Sequence, residues 1–462
     1  MAVLGAFAVP HPPIILPEIG RGEERRIQAT IDAYQEAMRR AAALQPDTVV
    51  VTSPHATMYA DYFHVSPGER ASGDFSDFHC PEVRVEAAYD AAFTGALAEE
   101  CQASGIPGGT AAERDPKLDH GTMIPLRFFG EFAREFKVVR VGLSGLSPLT
   151  HYRFGECIAR TAERLGRRIV HIASGDLSHK LLFEGPYGFA AEGPAFDKEC
   201  MTALSSGDFL RLLSIDSALA EGAAECGLRS FWIMAGVLDR LRVTAEALSY
   251  EGPFGVGYGV AAFAVEGRDA ARDIGEQFAA AENARRVARR AAEDAYVKLA
   301  RQSLETFVRK GERLPLPPDA GAELLATRAG VFVSLKKDGQ LRGCIGTFQP
   351  TTPNVAAEIW QNAVSAGAED PRFSPVEPEE LEELVYSVDV LNEPAPVESE
   401  AELDAARYGV IVEASGGRRG LLLPDLPGVN SVMEQVAIAR RKGGIGPKEP
   451  VRLYRFEVVR HH

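Results

Sequence analysis

TVVVTSPH, residues 48–55, is a run of β-branched residues that ends in a proline and a histidine. Such an uncharged run is typical of a strand that is buried on both faces of a sheet. A second apolar run, Leu4–Val9, also ends in proline, and a third, Arg168–Ser174, is followed by Gly175 and Asp176. We therefore expect a sheet whose strand ends carry functional side chains.

The first 265 residues alternate short apolar strands with helical patterns. A further strand is expected at Phe136–Val141, and helices are expected at Glu23–Leu44 and Tyr152–Leu165. The glycine-punctuated segment Tyr250–Val265 is expected to close this unit as a strand, because its Gly-x-Gly-x-Gly spacing does not match the dinucleotide fingerprint. The pattern predicts an α/β N-terminal domain with a mostly parallel central sheet covered by helices.

Composition changes after residue 265, where an Ala/Arg/Glu-rich helical pattern begins. We place the N-terminal domain at residues 1–265, a helical linker at 266–284, and a second, α+β domain at 285–460. A hairpin turn is expected at Asp338-Gly339. The strands of the second domain are expected at Val331–Leu335, Leu341–Gly346, Glu383–Leu391, Gly409–Ala414 and Arg452–Val459, and its helices at Pro353–Ala368 and Ser431–Arg441.

The overall composition is that of an ordinary soluble protein. The 462 residues carry a formal net charge of −15, which disfavours nonspecific binding of nucleic acid. No apolar run is long enough to cross a bilayer, and the N-terminus lacks the pattern of a signal peptide. Six scattered cysteines without a CxxC pair indicate reduced thiols, so we expect a cytoplasmic protein without a membrane partner.

The ten histidines are unevenly distributed. Eight lie between His11 and His179, and the remaining two, His461 and His462, are expected to form a solvated tail. Prolines beside His11 and before His55 stiffen the backbone at both residues. Two imidazoles and one carboxylate form a facial ligand set that leaves positions open on Fe(II), and a further histidine near the metal could transfer protons. Four others lack supporting context: His64, His79, His151 and His171.

Five motifs in residues 1–265 resemble the class III extradiol dioxygenases, a family that has the Memo proteins as relatives. The motifs are Pro10-His11-Pro12-Pro13, Ser53-Pro54-His55, Asp119-His120-Gly121-Thr122, Ser174-Gly175-Asp176-Leu177-Ser178-His179 and Glu225-Cys226-Gly227. The resemblance implies ring opening of a small catechol-like aromatic by O2, with Fe(II) or another divalent metal as cofactor.

The resemblance also implies roles for single residues. His11 and His55 would be metal ligands, His179 the catalytic acid/base, and His120 a hydrogen-bond partner of the substrate's oxygens. The carboxylate ligand would be Glu225, with Glu221 as the reserve.

Three structural interpretations remain open beside these roles. His120 could cap a helix instead of meeting the substrate. Asp176, which we count with the catalytic group, is expected to orient His179 or cap the following turn rather than bind metal. Cys226 is expected to be a packed thiol.

Residues 285–460 resemble the AMMECR domain family. The match rests on Leu341-Arg342-Gly343-Cys344-Ile345-Gly346-Thr347, Glu369-Asp370-Pro371-Arg372-Phe373 and Gly443-Gly444-Ile445-Gly446. Arg342 or Arg372 could bind an anion near Cys344, although a core strand with a buried thiol is the favoured interpretation. The family association with radical-SAM proteins implies a candidate pathway partner.

Two other function classes remain beside the ring-opening dioxygenase. One is a hydrolase or lyase that uses the same metal ligands without dioxygen. The other is a Memo-like protein that binds a metal or ligand without turnover. A homo-oligomer is compatible with the sequence, which does not identify the substrate.

Overall fold

The computed structural model describes residues 1–337, 339–426 and 428–462. The chain forms two compact units, Met1–Asn283 and Ala284–His462. One helix, Ile274–Ala292, runs across this division. Each unit is described by itself below.

A six-stranded sheet organises the first unit, in the order β7-β2-β8-β1-β10-β9. The pairings among the first four strands are parallel, and the last two strands are added antiparallel. This is the mostly parallel, helix-covered sheet predicted from the sequence. The strands of the unit are β1 (Val3–Val9), β2 (Thr48–Ser53), β3 (Phe63–His64), β4 (Arg70–Phe75), β5 (Cys80–Ala88), β6 (Gly108–Gly109), β7 (Lys137–Gly142), β8 (Ile169–Ser174), β9 (Leu241–Glu251) and β10 (Tyr258–Arg268).

Helices cover both faces of the sheet because its central strands are apolar on both sides. On β8, Ile169 and Ala173 face one hydrophobic cluster, whereas Val170 and Ile172 face the other. The helices are α1 (Pro17–Gly20), α2 (Gln28–Ala43), α3 (Ala91–Ala103), α4 (His120–Gly130), α5 (Pro148–Leu165), α6 (Glu192–Ser206), α7 (Phe209–Leu213), α8 (Ser217–Ala223), α9 (Leu228–Val237) and α10 (Ile274–Ala292), with 3-10 turns at Pro13–Ile15, Glu23–Ile27 and Ser76–Phe78.

Three neighbouring strands bring the predicted site together. Strands β2, β8 and β1 are adjacent and parallel, so their carboxyl ends lie at the same edge of the sheet. His55 follows β2, Asp176 follows β8 and His11 follows β1. The edge where parallel strands end is the usual position of an α/β binding site.

The prediction of one strand over Tyr250–Val265 is wrong. The segment contains the end of β9, a turn and most of β10, which pair antiparallel. Gly255 occupies the turn at φ +85, a conformation that favours glycine. Gly257 is closely packed, since a Cβ there would lie 2.1 Å from Asp197 Oδ2.

The second unit contains two four-stranded sheets, β12-β11-β13-β18 and β14-β17-β15-β16, and is α+β as predicted. Its strands are β11 (Gly330–Lys337), β12 (Gln340–Gly346), β13 (Val385–Leu391), β14 (Ala395–Val397), β15 (Gly409–Ala414), β16 (Arg419–Leu422), β17 (Val451–Phe456) and β18 (Val458–His461). Its helices are α11 (Ala295–Lys310), α12 (Ala322–Ala326), α13 (Val355–Ala368) and α14 (Val432–Lys442), with 3-10 turns at Pro378–Glu380, Glu400–Glu402 and Ser415–Gly417.

Two details of the second unit differ from the sequence-based expectations. The strand predicted at Arg452–Val459 is divided between β17 and β18, which belong to different sheets. His461 is not a solvated tail: it pairs in β18, and its ring stacks on Tyr296 with the centroids 3.7 Å apart. In the predicted hairpin turn, Asp338 lies outside the described residues, while Lys337 pairs with Gln340.

Across the described parts of the chain, no helix combines the length and apolar character that a membrane span requires.

Candidate metal centre

His11 is fixed from two sides at the end of β1. Its backbone N–H donates to Asp176 Oδ1 at 2.8 Å, and its ring Nδ1 lies 2.9 Å from Ser174 Oγ. The residue is only 2% exposed. Burial, followed by the neighbouring His55, holds the pKa of His11 well below its usual value, so the ring is neutral and its Nε2 is available as a ligand.

His55 reaches the same point from the end of β2. Its Nε2 lies 3.0 Å from His11 Nε2, and the two rings meet edge-on with their centroids 4.7 Å apart. Its backbone N–H donates to Ser53 Oγ at 3.2 Å, which fixes the Ser-Pro-His turn. In contrast to His11, His55 is exposed, so the pair forms a centre with one buried and one open side.

Cys226 contributes the third ligand atom of this group. Its Sγ lies 3.7 Å from His11 Nε2, and the ligand atoms of His11, His55 and Cys226 all lie within 4.8 Å of one another. The backbone N–H of Asp176 donates to the sulfur at 3.3 Å. The expectation of a packed thiol stays a prediction, since the sulfur is both surrounded by these groups and within ligand distance of the two histidines. Burial raises the pKa of the Cys226 thiol, which a bound cation would counteract.

Glu225 is not part of this group of ligand atoms. Its Oε2 accepts a 2.6 Å hydrogen bond from the backbone N–H of Leu228, the first residue of α9, and burial raises its pKa to about 7. The first N–H groups of a helix lack backbone partners and attract a carboxylate, which explains this orientation. Among the described residues, neither Glu225 nor Glu221 belongs to a metal-ligand group. The third atom of the first group is instead the sulfur of the next residue, Cys226, and Glu225 as a metal ligand stays a prediction.

Asp176 orients His11 rather than a following turn. Its Oδ1 accepts the His11 N–H, and its Oδ2 lies 4.0 Å from His11 Nε2. Burial raises its pKa to about 6. Asp176 also belongs to a second group of ligand atoms within 4.8 Å, together with His179 and Cys226, so the two groups share the Cys226 sulfur.

His179 lies at the outer side of this second group. Its backbone N–H donates to Ala223 O at 3.0 Å, and its ring meets Tyr187 edge-on with the centroids 5.2 Å apart. The ring Nδ1 is buried without a hydrogen-bond partner among the described residues. A half-buried imidazole with an unpaired nitrogen is suited to exchange a proton with a bound molecule.

His120 is the first residue of α4, but it does not cap the helix. The cap is Asp119, whose Oδ1 accepts the Thr122 N–H at 3.0 Å. The His120 ring instead lies beside His55, with the centroids 4.0 Å apart, and meets Phe78 edge-on. Burial, then His55 and His11, lower the pKa of His120 to about 3, so the imidazole is neutral.

A buried ion pair supports the ligand loops, and our sequence reasoning missed it. Arg140, 2% exposed, donates from Nε to Asp119 Oδ2 at 3.1 Å. Asp119 Oδ1 also accepts from Ser53 Oγ at 2.6 Å, which connects the pair to the turn that carries His55. A signal was present: Arg140 interrupts the valine run of strand β7, where a buried charge requires a partner.

The histidines that we left out of the site lie outside the ligand groups. His64 pairs with Glu113 at 3.0 Å. Burial lowers the pKa values of both His151 and His171 to about 3, so these two rings are neutral members of the interior. His79 ends the 3-10 turn at Ser76–Phe78 with φ 59.

The residues predicted for a site in the second unit are close together, but both arginines have carboxylate partners. Arg342 donates to Glu380 at 2.9 and 2.8 Å, and Arg372 donates to Asp370 at 2.9 and 2.7 Å. An anion would therefore have to compete with a carboxylate at either arginine.

Cys344 has its own hydrogen bonds in this region. Ser334 Oγ donates to its Sγ at 3.2 Å, and its backbone N–H donates to Asp370 at 2.9 Å. The thiol lies half-buried in strand β12, most of whose residues are half-buried or exposed, so the expectation of a core strand with a buried thiol stays a prediction.

The first ligand group fits a metal ion. With bond lengths of about 2.1 Å to nitrogen and about 2.3 Å to sulfur, tetrahedral ligands lie about 3.4 Å (N to N) and about 3.6 Å (N to S) apart. The observed separations are 3.0 Å between the two Nε2 atoms and 3.7 Å between His11 Nε2 and Cys226 Sγ. The donor set is two neutral imidazoles and a thiol, which suits a transition metal.

Comparisons with known proteins agree with the two-unit organisation. The family model described as the catalytic LigB subunit of aromatic ring-opening dioxygenase matches residues 5–261, and the AMMECR1 model matches residues 297–461. A Clostridium acetobutylicum protein is 40% identical over 100% of this chain and 99% of its own length. A Thermotoga maritima protein is 50% identical over 37% of this chain and 98% of its own length.

Two solved structures are also similar. A Pyrococcus horikoshii protein has 32% identity and a TM-score of 0.34, covering 36% of this chain and 88% of that one. An Escherichia coli protein has 17% identity and a TM-score of 0.40, covering 56% of this chain and 99% of that one. Taken together with the strand-end histidines, the family matches show that the chain belongs to the LigB family of aromatic ring-opening dioxygenase subunits, with an AMMECR1 domain following in the same chain.

Proposed function

We propose that the first unit is a metal-dependent oxidoreductase of the extradiol ring-opening type, which acts on a small aromatic diol with O2. The observation that carries the proposal is the convergence of His11 Nε2, His55 Nε2 and Cys226 Sγ within 4.8 Å at the carboxyl ends of parallel strands. Family membership over residues 5–261 supports the reaction class. The AMMECR1 unit is treated as accessory.

His11, His55 and Cys226 would hold the metal, which we expect to be Fe(II), although another divalent ion would fit the same donors. When bound, the metal would supply Lewis acidity toward the substrate's oxygens and electrons for dioxygen chemistry. The exposed side of His55 leaves room for the substrate. Asp176, which accepts the His11 N–H, keeps that ligand in place.

His179 would manage the protons of the reaction. A nitrogen of its imidazole accepts a hydroxyl proton as the diol binds, and the same group returns the proton to the opened product. His120, neutral at physiological pH, donates a hydrogen bond to a substrate oxygen without adding a positive charge beside the metal. Asp119, paired with Arg140, keeps the His55 turn and helix α4 in register.

A second candidate is favoured by one specific observation, the thiol in the ligand group. Carboxylate is the third ligand that the dioxygenase resemblance implies, whereas a thiolate favours softer ions such as Cu(I) or Zn²⁺. In that case the unit would bind a metal for transfer, or for a reaction without dioxygen.

An anaerobic reconstitution separates the two candidates. Full-length protein is purified without oxygen, loaded with Fe(II), and mixed with a panel of catechols in the presence and absence of O2. Oxygen uptake with a yellow ring-fission chromophore supports the first candidate. Stoichiometric metal binding without oxygen uptake on any catechol would overturn it and favour the second.

Two neighbouring substitutions test the ligand set itself. Cys226→Ala removes the sulfur, and we expect metal affinity to fall by at least 100-fold. Glu225→Gln keeps the size of the residue just before α9, and we expect metal affinity to change less than threefold. The opposite order of effects would return the third ligand to Glu225.

A further inference from the structure

Two cysteines outside the metal centre contact each other in the core of the first unit. Cys101 lies near the end of α3 and Cys157 lies in the middle of α5, and both are fully buried. The two helices pack side by side, and the two thiols lie near enough to influence each other's pKa. Both are reduced in the structure.

A guanidinium group lies directly beside one of the two sulfurs. Arg160 Nη2 is 3.2 Å from Cys157 Sγ. The same side chain donates from Nε to Glu100 at 2.7 Å and from Nη2 to Ser104 Oγ at 3.0 Å, which holds it over the thiol. A cation at this distance stabilises the thiolate, the reactive form of cysteine.

The environments of the two thiols shift their pKa values in opposite directions. The hydrogen bond from Cys101, together with Arg160, lowers the pKa of Cys157 despite its burial. The pKa of Cys101 is raised, first by the same hydrogen bond and then by burial. The position of Arg160, 3.2 Å from the Cys157 sulfur, makes Cys157 the attacking thiolate and Cys101 the resolving thiol.

Other cysteines of the unit have different surroundings. Burial raises the pKa of Cys200, and a hydrogen bond to Glu82 raises that of Cys80. Near Cys80 the effect of Glu82 outweighs that of Arg21, so the pKa of both thiols is raised and the two residues serve as matched controls.

We propose that Cys101 and Cys157 form a reversible redox couple, in which hydrogen peroxide or a small disulfide converts the thiols to an intramolecular disulfide that joins α3 to α5. With peroxide, the Cys157 thiolate attacks one oxygen, the O–O bond breaks, and a sulfenic acid and one water form. The Cys101 sulfur then attacks the Cys157 sulfur, the S–O bond breaks, and a second water leaves. Two electrons pass from the thiols to the peroxide, and two thiols of a reductant reverse the change.

Both thiols are fully buried, but side chains beside the pair reach the surface. The Arg160 side chain that covers Cys157 is 45% exposed, and Ser104 is exposed as well. In this proposal the oxidant enters when the Arg160 side chain moves aside. Once formed, the disulfide would link α3 to α5 covalently and raise the melting temperature of the unit by about 10 °C.

The test uses the full-length reduced protein in a buffer with a metal chelator. After exposure to hydrogen peroxide or oxidised glutathione, free thiols are alkylated and the protein is digested with trypsin. Cleavage gives one peptide of residues 85–114 with Cys101 and another of residues 154–160 with Cys157. We expect these two peptides linked in the oxidised sample and separate after reduction.

Variants and controls fix the interpretation. Cys101→Ser and Cys157→Ser should abolish the linked pair, whereas Cys80→Ser and Cys200→Ser should retain it. Arg160→Gln should slow its formation about tenfold by removing the cation. The wild-type protein alone can refute the proposal: if the two peptides stay unlinked at excess oxidant, or if Cys157 pairs equally with other cysteines, the couple does not exist. An unchanged rate in Arg160→Gln would overturn the part assigned to Arg160.

Discussion

Asp197 provides a quantitative test of the packing around Ser178, the residue before His179. The side chain lies on α6 and is 1% exposed. Its Oδ1 accepts the Ser178 N–H at 2.7 Å, and its Oδ2 accepts the Tyr250 hydroxyl at 2.7 Å. Burial raises its pKa from 3.8 to about 6, although both hydrogen bonds favour the charged form.

The shift of about two pKa units corresponds to about 3 kcal/mol. Well below pH 4 the carboxyl is protonated in both the folded and the unfolded state, and burial of the group carries no charge penalty. As the pH rises from 4 to 6, the unfolded state releases its proton first, so the stability of the folded state falls. Above the folded-state pKa the full penalty persists. Asp197→Asn does not titrate, so its unfolding free energy relative to wild type should rise by about 2.4 kcal/mol between pH 4 and pH 7.

The assay is urea unfolding followed by tryptophan fluorescence. The chain has two tryptophans, Trp232 in the first unit and Trp360 in the second, so a Trp360→Phe background reports on the first unit alone. Glu36→Gln is the control. Hydrogen bonds from Arg39 and Arg40 hold the Glu36 pKa at about 2, so the difference in unfolding free energy between this variant and wild type should be flat above pH 5. A flat or falling difference for Asp197→Asn over the same range would refute the reasoning.

Three further predictions concern the site and the two cores. His179→Gln should retain the metal, because the first ligand group does not include it, and should lower turnover by about 100-fold to 10,000-fold in oxygen-uptake assays. Gly236→Ala should destabilise the first unit by about 3 kcal/mol in urea unfolding, because its Cβ would lie 1.9 Å from Tyr152 O, whereas Gly95→Ala, with open space around it, should stabilise the unit by up to about 1 kcal/mol. His461→Ala should lower the melting temperature of the second unit, since it removes the stacked ring from Tyr296.

Each of these predictions has a contradicting result. Loss of metal in His179→Gln would mean that His179 is an essential ligand rather than an acid/base. Equal effects of Gly236→Ala and Gly95→Ala would mean that the close contact between α9 and α5 does not limit packing. An unchanged melting temperature in His461→Ala would indicate that the stacked ring contributes nothing measurable.

The strand-end side chains could be predicted because their signals are local. A buried strand followed by proline and histidine fixes both where the chain leaves the sheet and which residue it presents there, as in Ser53-Pro54-His55. The parallel order of the strands then brings separate strand ends to one edge. Nothing more than pattern and spacing was needed to expect His11 and His55 near each other.

The third ligand position could not be predicted in the same way. Glu225 and Cys226 are consecutive, and their side chains diverge where the chain enters α9. Which of them faces His11 depends on the direction of that helix, whose first free N–H groups take the carboxylate. The partner of Arg140 was equally hidden, since Asp119 lies 21 residues away and meets it only after the sheet has formed.

The most direct test of the account is X-ray absorption spectroscopy of the full-length protein loaded anaerobically with one equivalent of Fe(II) or Zn²⁺. The ligand group of His11, His55 and Cys226 predicts two imidazole nitrogens at about 2.1 Å and one sulfur at about 2.3 Å. The sulfur signal should vanish in Cys226→Ala and persist in Glu225→Gln. A first shell of nitrogen and oxygen only in the wild-type protein would contradict the assignment of Cys226 and restore the carboxylate as third ligand.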